Sequence, residues 1–227
     1  MERQSINVIL LGGLSVGKTN LLNTSLGYEF QNDCLSTIGL DKFINKMKIN
    51  DKEYKVILWD TSGQERFRAI STNSIRRSQI IILVFDVTNI KSLEELNYWM
   101  KTIEDYKGGH CVIGIIGNKM DLFEKMAVSE EEAKRFAEKY NCKLLLTSAK
   151  EDPKRFNQFI ENLIIEYFDL YQEEEEDYIK CISLECEEKE RKKVRGNCCQ
   201  DEIYYSFPER FKARVFQWYV PKFDFKK

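Results

Sequence analysis

The feature that most limits how this chain can fold is a glycine-rich string placed directly after an apolar run. Ile6–Leu11 is followed by Gly12-Gly13-Leu14-Ser15-Val16-Gly17-Lys18-Thr19, which has the spacing GxxxxGK[ST]. Glycines in this pattern let backbone N–H groups wrap around a phosphate, and the helix predicted from Lys18 adds the dipole of its N-terminus. We expect Lys18 to contact the β- and γ-phosphates of a nucleotide and Thr19 to ligate Mg²⁺. A chance glycine-rich turn is the alternative, which the strand–loop–helix setting disfavours.

Apolar runs alternate with stretches of helical periodicity, which is typical of a mostly parallel sheet with helices on both faces. Five runs are predicted as buried strands: Ile6–Leu11, Tyr54–Trp59, Ile80–Phe85, Cys111–Ile116 and Cys142–Leu146. Phe43–Ile49 instead alternates apolar and polar residues, which predicts an edge strand in a hairpin with the next strand. Helices are predicted at Lys18–Leu26, Ser92–Tyr106, Ser129–Tyr140 and about 153–171. Ser129 with Glu132, and Ser92 with Glu95, have the spacing of N-terminal capping boxes.

A second motif, Asn118-Lys119-Met120-Asp121, follows the predicted strand Cys111–Ile116 and favours guanine over adenine. The Asp121 carboxylate can accept hydrogen bonds from the ring N–H and the exocyclic amine of guanine, whereas adenine has no such pair of donors. We expect Lys119 to lie along the base and Asn118 to tie its loop to the phosphate-binding loop. Ser148-Ala149-Lys150 ends the last strand and is predicted to close over the base. In open α/β sheets, ligands bind at the carboxyl ends of the strands, where both motifs lie.

Residues suited to Mg²⁺ binding and hydrolysis lie between these motifs. Asp60-Thr61-Ser62-Gly63-Gln64 follows a predicted buried strand. We expect Asp60 to reach Mg²⁺ through water and Gly63 to donate its N–H to the γ-phosphate. Gln64 is the predicted catalytic residue, because it can orient the attacking water. Thr37 is placed to offer a second hydroxyl to Mg²⁺.

Taken together, GGLSVGKT, STIG, WDTSGQERF, GNKMDL and TSAK resemble the motifs of the Ras superfamily, and WDTSGQERF with FDVTN most resembles the Rab family of vesicle-traffic GTPases. The resemblance covers residues 5–170. It implies a P-loop NTPase fold, α/β, with a six-stranded, mostly parallel sheet, one antiparallel edge strand and five flanking helices. It also implies GTP/GDP and Mg²⁺ as ligands, hydrolysis of GTP to GDP, and exchange factors, GTPase-activating proteins and effectors that contact segments near 34–43 and 61–77. By matching positions, Phe30 is expected to flank the guanine.

Some positions depart from the Rab pattern. Leu14 stands where Ser or Gly is usual, and its branched side chain is expected to crowd Gln64 and an incoming arginine, which predicts slow hydrolysis that resists activating proteins. The alternative is that Leu14 turns to solvent. Asp41-Lys42-Phe43 replaces an Asp-Phe pair followed by a polar residue, so the aromatic is expected on the opposite side of its strand unless a bulge intervenes. Of the three aromatics that Rab-like proteins present to effectors, only Trp59 is clearly retained.

Composition changes at the end of the nucleotide-binding domain, which we place at residues 1–171. Residues 172–199 form a charged tail that ends in Cys198-Cys199, and this resembles the prenylated end of a Rab. Two lipid chains beside basic residues would anchor the protein on an acidic membrane. Residues 200–227 are aromatic and basic. Two hypotheses follow. Either the native product ends at Cys199 and is prenylated, or residues 203–225 dock on a membrane or a partner and the cysteines stay unmodified.

The bulk properties favour a cytoplasmic protein that cycles to the cytosolic face of endomembranes if it is lipidated. The net charge of -2 gives no reason to expect nucleic-acid binding. Seven cysteines without CxxC spacing argue against a disulfide framework or a zinc site and fit a reducing compartment. The polar N-terminus does not resemble a signal peptide, and the apolar runs are too short to span a bilayer. Two functional alternatives are a GTP-loaded binding module with little hydrolysis and an ATP-using P-loop enzyme. Asp121 argues against the second, because its carboxylate favours guanine over adenine.

Overall fold

The computed structural model describes residues 5–32, 37, 39–63, 68–107 and 110–171. Within them one sheet contains β1 Ser5–Leu11, β2 Leu40–Ile49, β3 Lys52–Thr61, β4 Ile80–Asp86, β5 Val112–Asn118 and β6 Lys143–Leu146, in the order β2-β3-β1-β4-β5-β6. All neighbouring strands are parallel except β2 and β3. This confirms the predicted six-stranded, mostly parallel sheet with one antiparallel edge strand. The predicted tail (172–199) and extension (200–227) lie outside the described residues.

The helices of the described residues are α1 Lys18–Ser25, α2 Arg68–Arg77, α3 Ile90–Glu94, α4 Leu96–Tyr106, α5 Glu130–Lys139 and α6 at 153–171, with a 3-10 helix at Met120–Lys125. Six α-helices therefore replace the five that were expected. The helix predicted at 92–106 begins earlier and is divided at Glu95 into α3 and α4, although Glu95 keeps helical backbone angles (φ -62°, ψ -23°). Within the described part of the chain, no helix has both the length and the apolar character needed to cross a bilayer.

One predicted capping box is confirmed and the other is wrong. At the start of α5, Ser129 Oγ accepts from the Glu132 N–H at 3.2 Å, and Glu132 Oε2 accepts from the Ser129 N–H at 2.8 Å. Ser92 instead lies inside α3, whose N-cap is Asn89. The buried Ser92 hydroxyl accepts from the Asp86 N–H at 2.9 Å, so it fixes the end of β4 rather than the start of a helix.

Two apolar clusters lie on opposite faces of the sheet. One cluster packs the sheet against α1 and α6, through residues such as Leu21, Phe156 and Ile160. The other packs it against the α2–α5 side, with the buried Trp99 of α4 as its largest member. All seven residues of β4 are buried. Burial on both faces explains why the central strands are continuously apolar, as expected for a parallel sheet covered by helices.

The hairpin of β2 and β3 has an uninterrupted register from Leu40 opposite Thr61 to Ile49 opposite Lys52. With no bulge between them, alternate residues face opposite sides of the sheet. Phe43 packs against the cluster formed with α1 and α6, while Lys42 lies opposite Trp59 on the other side. The prediction that the aromatic changes sides is confirmed.

The C-terminal half of α6 is anchored at the amino ends of β3 and β5. The Phe168 ring lies 5.0 Å from the ring of Tyr54, and the Tyr171 ring lies 4.3 Å from that of His110. The Tyr171 hydroxyl also donates to the Cys111 carbonyl oxygen at 3.4 Å, directly before β5. These contacts fix the last described turn of the helix at the edge of the sheet opposite the carboxyl ends of the parallel strands.

Replacing Ser129 with Ala removes the side-chain acceptor at the start of α5. We expect the free energy of unfolding, measured by urea denaturation, to fall by about 1 kcal/mol. Glu131→Gln, in the same helical turn but outside the capping box, is the matched control and is expected to cost less than about 0.5 kcal/mol. Equal losses in the two variants would show that the capping box contributes nothing measurable.

Candidate nucleotide-binding site

A pocket of about 370 Å³ lies at the carboxyl ends of the parallel strands. Most of the predicted site residues line it: Leu14, Ser15, Gly17, Lys18, Thr19, Phe30, Thr37, Gly63, Asn118, Lys119, Asp121, Ala149 and Lys150. Five further predicted residues are Gly12, Gly13, Val16, Asp60 and Ser148; each of them is hydrogen-bonded to a residue of the lining. The structure therefore brings these predicted residues to one place. Gln64, the predicted catalytic residue, lies outside the described residues.

The Lys18 ammonium is buried inside the loop that joins β1 to α1. It donates to the carbonyl oxygens of Gly12 at 3.0 Å and Gly13 at 2.8 Å. Burial lowers the pKa of Lys18 to about 8, although the carboxylates of Asp60 and Glu95 act in the opposite direction. Because its direct hydrogen-bond partners are neutral carbonyls, an anion placed beside this buried cation would stabilise its charge. The loop can thus stabilise a phosphate group.

Three oxygen-bearing side chains meet beside the loop. Thr19 and Thr37 donate from their hydroxyls to Asp60 Oδ2 at 2.6 and 3.2 Å, and the two hydroxyl oxygens are 3.0 Å apart. Asp60 is fully buried, and its Oδ1 has no hydrogen-bond partner among the described residues. Burial raises the pKa of Asp60, while the Thr19 hydrogen bond and the Lys18 charge lower it. A buried carboxylate with a free oxygen beside two hydroxyls is the hard, oxygen-only donor set that Mg²⁺ prefers, so these residues fit that ion.

This mixed cluster is the candidate metal position of the described chain. Over the ranges that the structure describes, no group of three or more His, Cys, Asp or Glu side chains is arranged to hold a metal ion. The cluster at Asp60 is built differently, because threonine hydroxyls supply its other oxygens.

The buried amide of Asn118 joins three parts of the pocket. It ends β5, and its Nδ2 donates to the Val16 carbonyl oxygen at 2.9 Å, within the phosphate-binding loop. Its Oδ1 accepts from the Ala149 N–H at 3.0 Å, in the loop after β6. One side chain thus makes hydrogen bonds to backbone groups of residues 16 and 149, which are 133 positions apart in the sequence. The predicted tie between the loops is observed.

Asp121 and Lys119 are each held by a partner at the far side of the pocket. The Ser148 hydroxyl donates to Asp121 Oδ1 at 2.6 Å and accepts from the Lys150 N–H at 3.1 Å. The Lys119 ammonium forms an ion pair with Asp86 Oδ2 at 2.6 Å. These contacts fix the orientation of both side chains, and a fixed orientation lowers the entropy lost on binding.

Gly63 approaches the phosphate-binding loop too closely for a side chain. A Cβ atom added at Gly63 would lie 2.5 Å from the Leu14 backbone nitrogen. The neighbouring Leu14 side chain lines the pocket, yet 54% of its surface is exposed. Leu14 therefore stands at the rim of the pocket, in contact with the pocket interior and with solvent.

Some pocket residues were not predicted from the sequence. Asn20, Asn32, Thr61 and Leu122 also line the pocket. Leu122 directly follows the Asn118–Asp121 motif, and this position next to Asp121 could have predicted that it lines the pocket. Asp86 was missed as the partner of Lys119 because the two are distant in sequence. The position of Asp86 at the carboxyl end of β4, in register with Asn118, could have indicated that it lies near the pocket.

Comparison with known proteins identifies the family. The sequence model of the Ras family matches residues 7–168 of this chain. Ras-related protein RABA1f from Arabidopsis thaliana is 40% identical over 156 residues, which are 69% of this chain and 72% of that protein. Ras-related protein Rab11B from Nicotiana tabacum is 38% identical over 156 residues, with the same two coverages.

The sheet order, the phosphate-binding loop and the family match together define a P-loop protein of the small GTPase class. Within that class the chain belongs to the Ras family and, by its similarity to the Ras-related Rab proteins, to the Rab GTPases.

Replacing Asn118 with Ala leaves the Val16 carbonyl and the Ala149 N–H without their partner in a buried place. We expect the free energy of unfolding to fall by about 2–6 kcal/mol, since each of the two unpaired buried groups costs about 1–3 kcal/mol. The matched control is Asn97→Ala, because that amide also makes two hydrogen bonds but is exposed. Its loss is expected to be below about 1 kcal/mol. Similar losses by chemical denaturation would contradict the bridging role.

Proposed function

We propose that this Rab-type GTPase binds GTP and GDP with Mg²⁺ and hydrolyses GTP to GDP as a molecular switch in intracellular membrane traffic. One observation carries the proposal: a single pocket is lined at one end by Lys18 and Thr19 and at the other by Lys119 and Asp121. Such a pocket suits a ligand with a polyphosphate at one end and a base at the other. Membership in the Rab GTPases supports the same activity and the same cellular role.

At the phosphate end, the Lys18 ammonium would pair with the β- and γ-phosphate oxygens. The Thr19 and Thr37 hydroxyls would hold Mg²⁺ directly. Asp60 would hold the ion through a water molecule, which would donate a hydrogen bond to the Oδ1 atom that has no partner among the described residues. When bound, Mg²⁺ neutralises charge on the β- and γ-phosphates. The backbone N–H groups of Gly12–Thr19 would complete the phosphate contacts.

At the base end, Asp121 would accept hydrogen bonds from the ring N–H and the exocyclic amine of guanine. The Ser148 hydroxyl already occupies Oδ1, which holds the carboxylate in one orientation. Lys119, kept in place by Asp86, would lie along the base, and Phe30, which also lines the pocket, would flank it. Ala149 and Lys150 would close the loop over the base. Guanine would donate hydrogen bonds to the Asp121 carboxylate, whereas adenine has no matching pair of donors.

For hydrolysis, Gln64 would orient the attacking water, and Gly63 would donate its N–H to the γ-phosphate. The closeness of Gly63 to the Leu14 nitrogen supports this role, because only a residue without Cβ fits there. In this scheme the chain contributes mainly positions and charges, as is usual for phosphoryl transfer.

A second function, a GTP-loaded binding module with little hydrolysis, is favoured by one feature. Leu14 lies at the rim of the pocket, next to the loop residues that would bind the γ-phosphate. A branched side chain there would exclude the arginine that an activating protein inserts, and such an arginine accelerates hydrolysis by about 10³–10⁵. In that case the chain would remain bound to GTP and recruit effectors for long periods.

The proposed regulation and location follow from Rab membership. Exchange factors, GTPase-activating proteins and effectors would contact segments near 34–43 and 61–77, and the protein would be cytoplasmic and would cycle to the cytosolic face of endomembranes. The proposed lipid sites, Cys198 and Cys199, lie outside the described residues. Intact-mass measurement of the native protein tests them: two prenyl groups on these cysteines support the anchor, and an unmodified chain that reaches Lys227 contradicts it.

Replacing Asp121 with Asn tests the specificity for guanine. The amide keeps an acceptor for Ser148 but presents N–H groups toward the base, so we expect GTP affinity to fall by about 100-fold or more. Xanthosine triphosphate, which has a carbonyl where guanine has its amine, should bind better than to the wild type. Glu124→Gln, the same acid-to-amide change on the exposed side of the 3-10 helix, is the control. Calorimetric titration that shows unchanged GTP binding, or ATP binding as tight as GTP binding, would contradict the proposal.

Replacing Leu14 with Ser tests whether the rim side chain slows hydrolysis. We expect single-turnover hydrolysis of bound GTP, in the presence of an activating protein, to become at least about tenfold faster. Leu122→Ser, the same change at another half-exposed pocket residue, is the control and should leave the rate unchanged. If the wild type and the Leu14 variant hydrolyse GTP at one rate, the side chain does not obstruct the reaction.

A further inference from the structure

The first turn of α1 contacts the chain that follows the helix at two points. Thr19 and Asn20 are adjacent in α1, and both line the pocket. The Thr19 hydroxyl oxygen lies 3.0 Å from that of Thr37, at the candidate Mg²⁺ position. The Asn20 amide Nδ2 donates to the Gln31 carbonyl oxygen at 2.9 Å. This second contact connects the helix to a stretch of chain that lies eleven residues further on.

Gln31 belongs to the stretch 28–32, which we call the base-side loop. The loop contains neither helix nor strand, and four of its five residues are exposed, so little buried surface holds it in place. Its partly buried member is Phe30, which packs against the apolar cluster that includes residues of α1 and α6. Phe30 and Asn32 also line the pocket. The base-side loop therefore brings an aromatic ring to the pocket while its other residues face solvent.

The base-side loop runs back along α1 and is bonded to the helix near both of its ends. The Tyr28 N–H donates to the Asn23 carbonyl oxygen at 3.0 Å, in the last turn of α1. Three residues further on, Gln31 accepts from the side chain of Asn20, in the first turn of the same helix. Phe30 lies directly before this second point, so the Asn20 hydrogen bond acts on the residue next to the ring.

An amide side chain suits this position in the helix. The first N–H groups of a helix have no partner within it, and they are the donors that bind phosphate. The Asn20 side chain adds a donor on the flank of α1, directed at Gln31. One turn of helix can thus serve a phosphate group with its backbone and the base-side loop with a side chain.

We propose that Asn20 is a positioning residue that holds Phe30 against the base and so sets how long a nucleotide stays bound. The inference rests on the proposed function, in which Phe30 flanks the guanine. When the nucleotide leaves, the base-side loop moves away from the base, and this movement breaks the hydrogen bond from Asn20 to Gln31. Removing the donor makes the movement more frequent, so the nucleotide dissociates faster.

A direct bond to the nucleotide is the other way in which Asn20 can act, because it also lines the pocket. The geometry favours action through the loop, since the amide donates to Gln31 at 2.9 Å and Gln31 directly follows Phe30. The two modes predict different results when Phe30 itself is changed. An effect that passes through the ring disappears once the ring is absent, whereas a direct bond adds its effect independently.

The test uses the full chain loaded with the fluorescent nucleotide methylanthraniloyl-GDP in the presence of Mg²⁺. Its dissociation rate is measured after addition of excess GDP. We expect release from Asn20→Ala to be about three- to tenfold faster than from the wild type, the effect of one net hydrogen bond. The variant should stay folded, because alanine favours a helix more than asparagine does. Phe30→Leu should also release faster, and adding Asn20→Ala to it should change the rate by less than about 1.5-fold.

Asn157→Ala is the matched control. The Asn157 amide Nδ2 donates to the Ser25 carbonyl oxygen at 2.9 Å, at the other end of α1, and Asn157 does not line the pocket. The substitution therefore removes a bond of the same kind and length from the same helix. We expect it to change the dissociation rate by less than about 1.5-fold, since no residue of the base-side loop is involved.

Three results would overturn the inference while leaving the proposed function intact. They are equal release rates from the wild type and Asn20→Ala, an equal acceleration by Asn157→Ala, and a double variant in which the effects of Asn20→Ala and Phe30→Leu multiply. A wild type that does not bind methylanthraniloyl-GDP would contradict the proposed function, and this inference with it.

Discussion

The pocket depends on the two hydrogen bonds made by the buried amide of Asn118. The phosphate-binding loop follows β1 and the loop at 148–150 follows β6, and the sheet alone does not fix the distance between such loops. Asn118 fixes it by bonding to Val16 on one side and Ala149 on the other. An amide suits this place because it offers a donor and an acceptor on separate atoms, whereas a carboxylate would have no donor for the Val16 carbonyl. The loop after β1 and the loop after β6 are thereby held in one arrangement.

The same pocket contains two buried charged side chains, and each of them is hydrogen-bonded to neutral groups of the described residues. Lys18 bonds to two neutral carbonyls, and Asp60 keeps one oxygen without a partner among the described residues. Both are buried, which disfavours their charged forms and shifts their pKa values in opposite directions. A bound nucleotide and its cation would bring opposite charges close to both side chains. Because ligands that bind only the folded state add to its stability, the folded protein and the occupied pocket are expected to be coupled.

The parts of this architecture that depend on local spacing were predictable from sequence. The loop Gly12–Thr19, the Ser129 capping box and the side on which Phe43 packs each follow from residues within a few positions of one another. The Ser92 capping box was wrong because Asn89, three residues earlier, is an equally good N-cap and leaves Ser92 inside the helix. Asp86 was missed for a different reason: its partner Lys119 is adjacent only through the pairing of β4 with β5, and a single sequence does not specify that proximity.

The anchoring of α6 has a geometric consequence. Tyr171 bonds to the carbonyl before β5, whereas the pocket lies beyond the other end of the same strand. A strand of seven residues is about 23 Å long. Helix α6 therefore ends on the side of the sheet away from the pocket, so its last described turn lies about one strand length from the side chains that line the pocket.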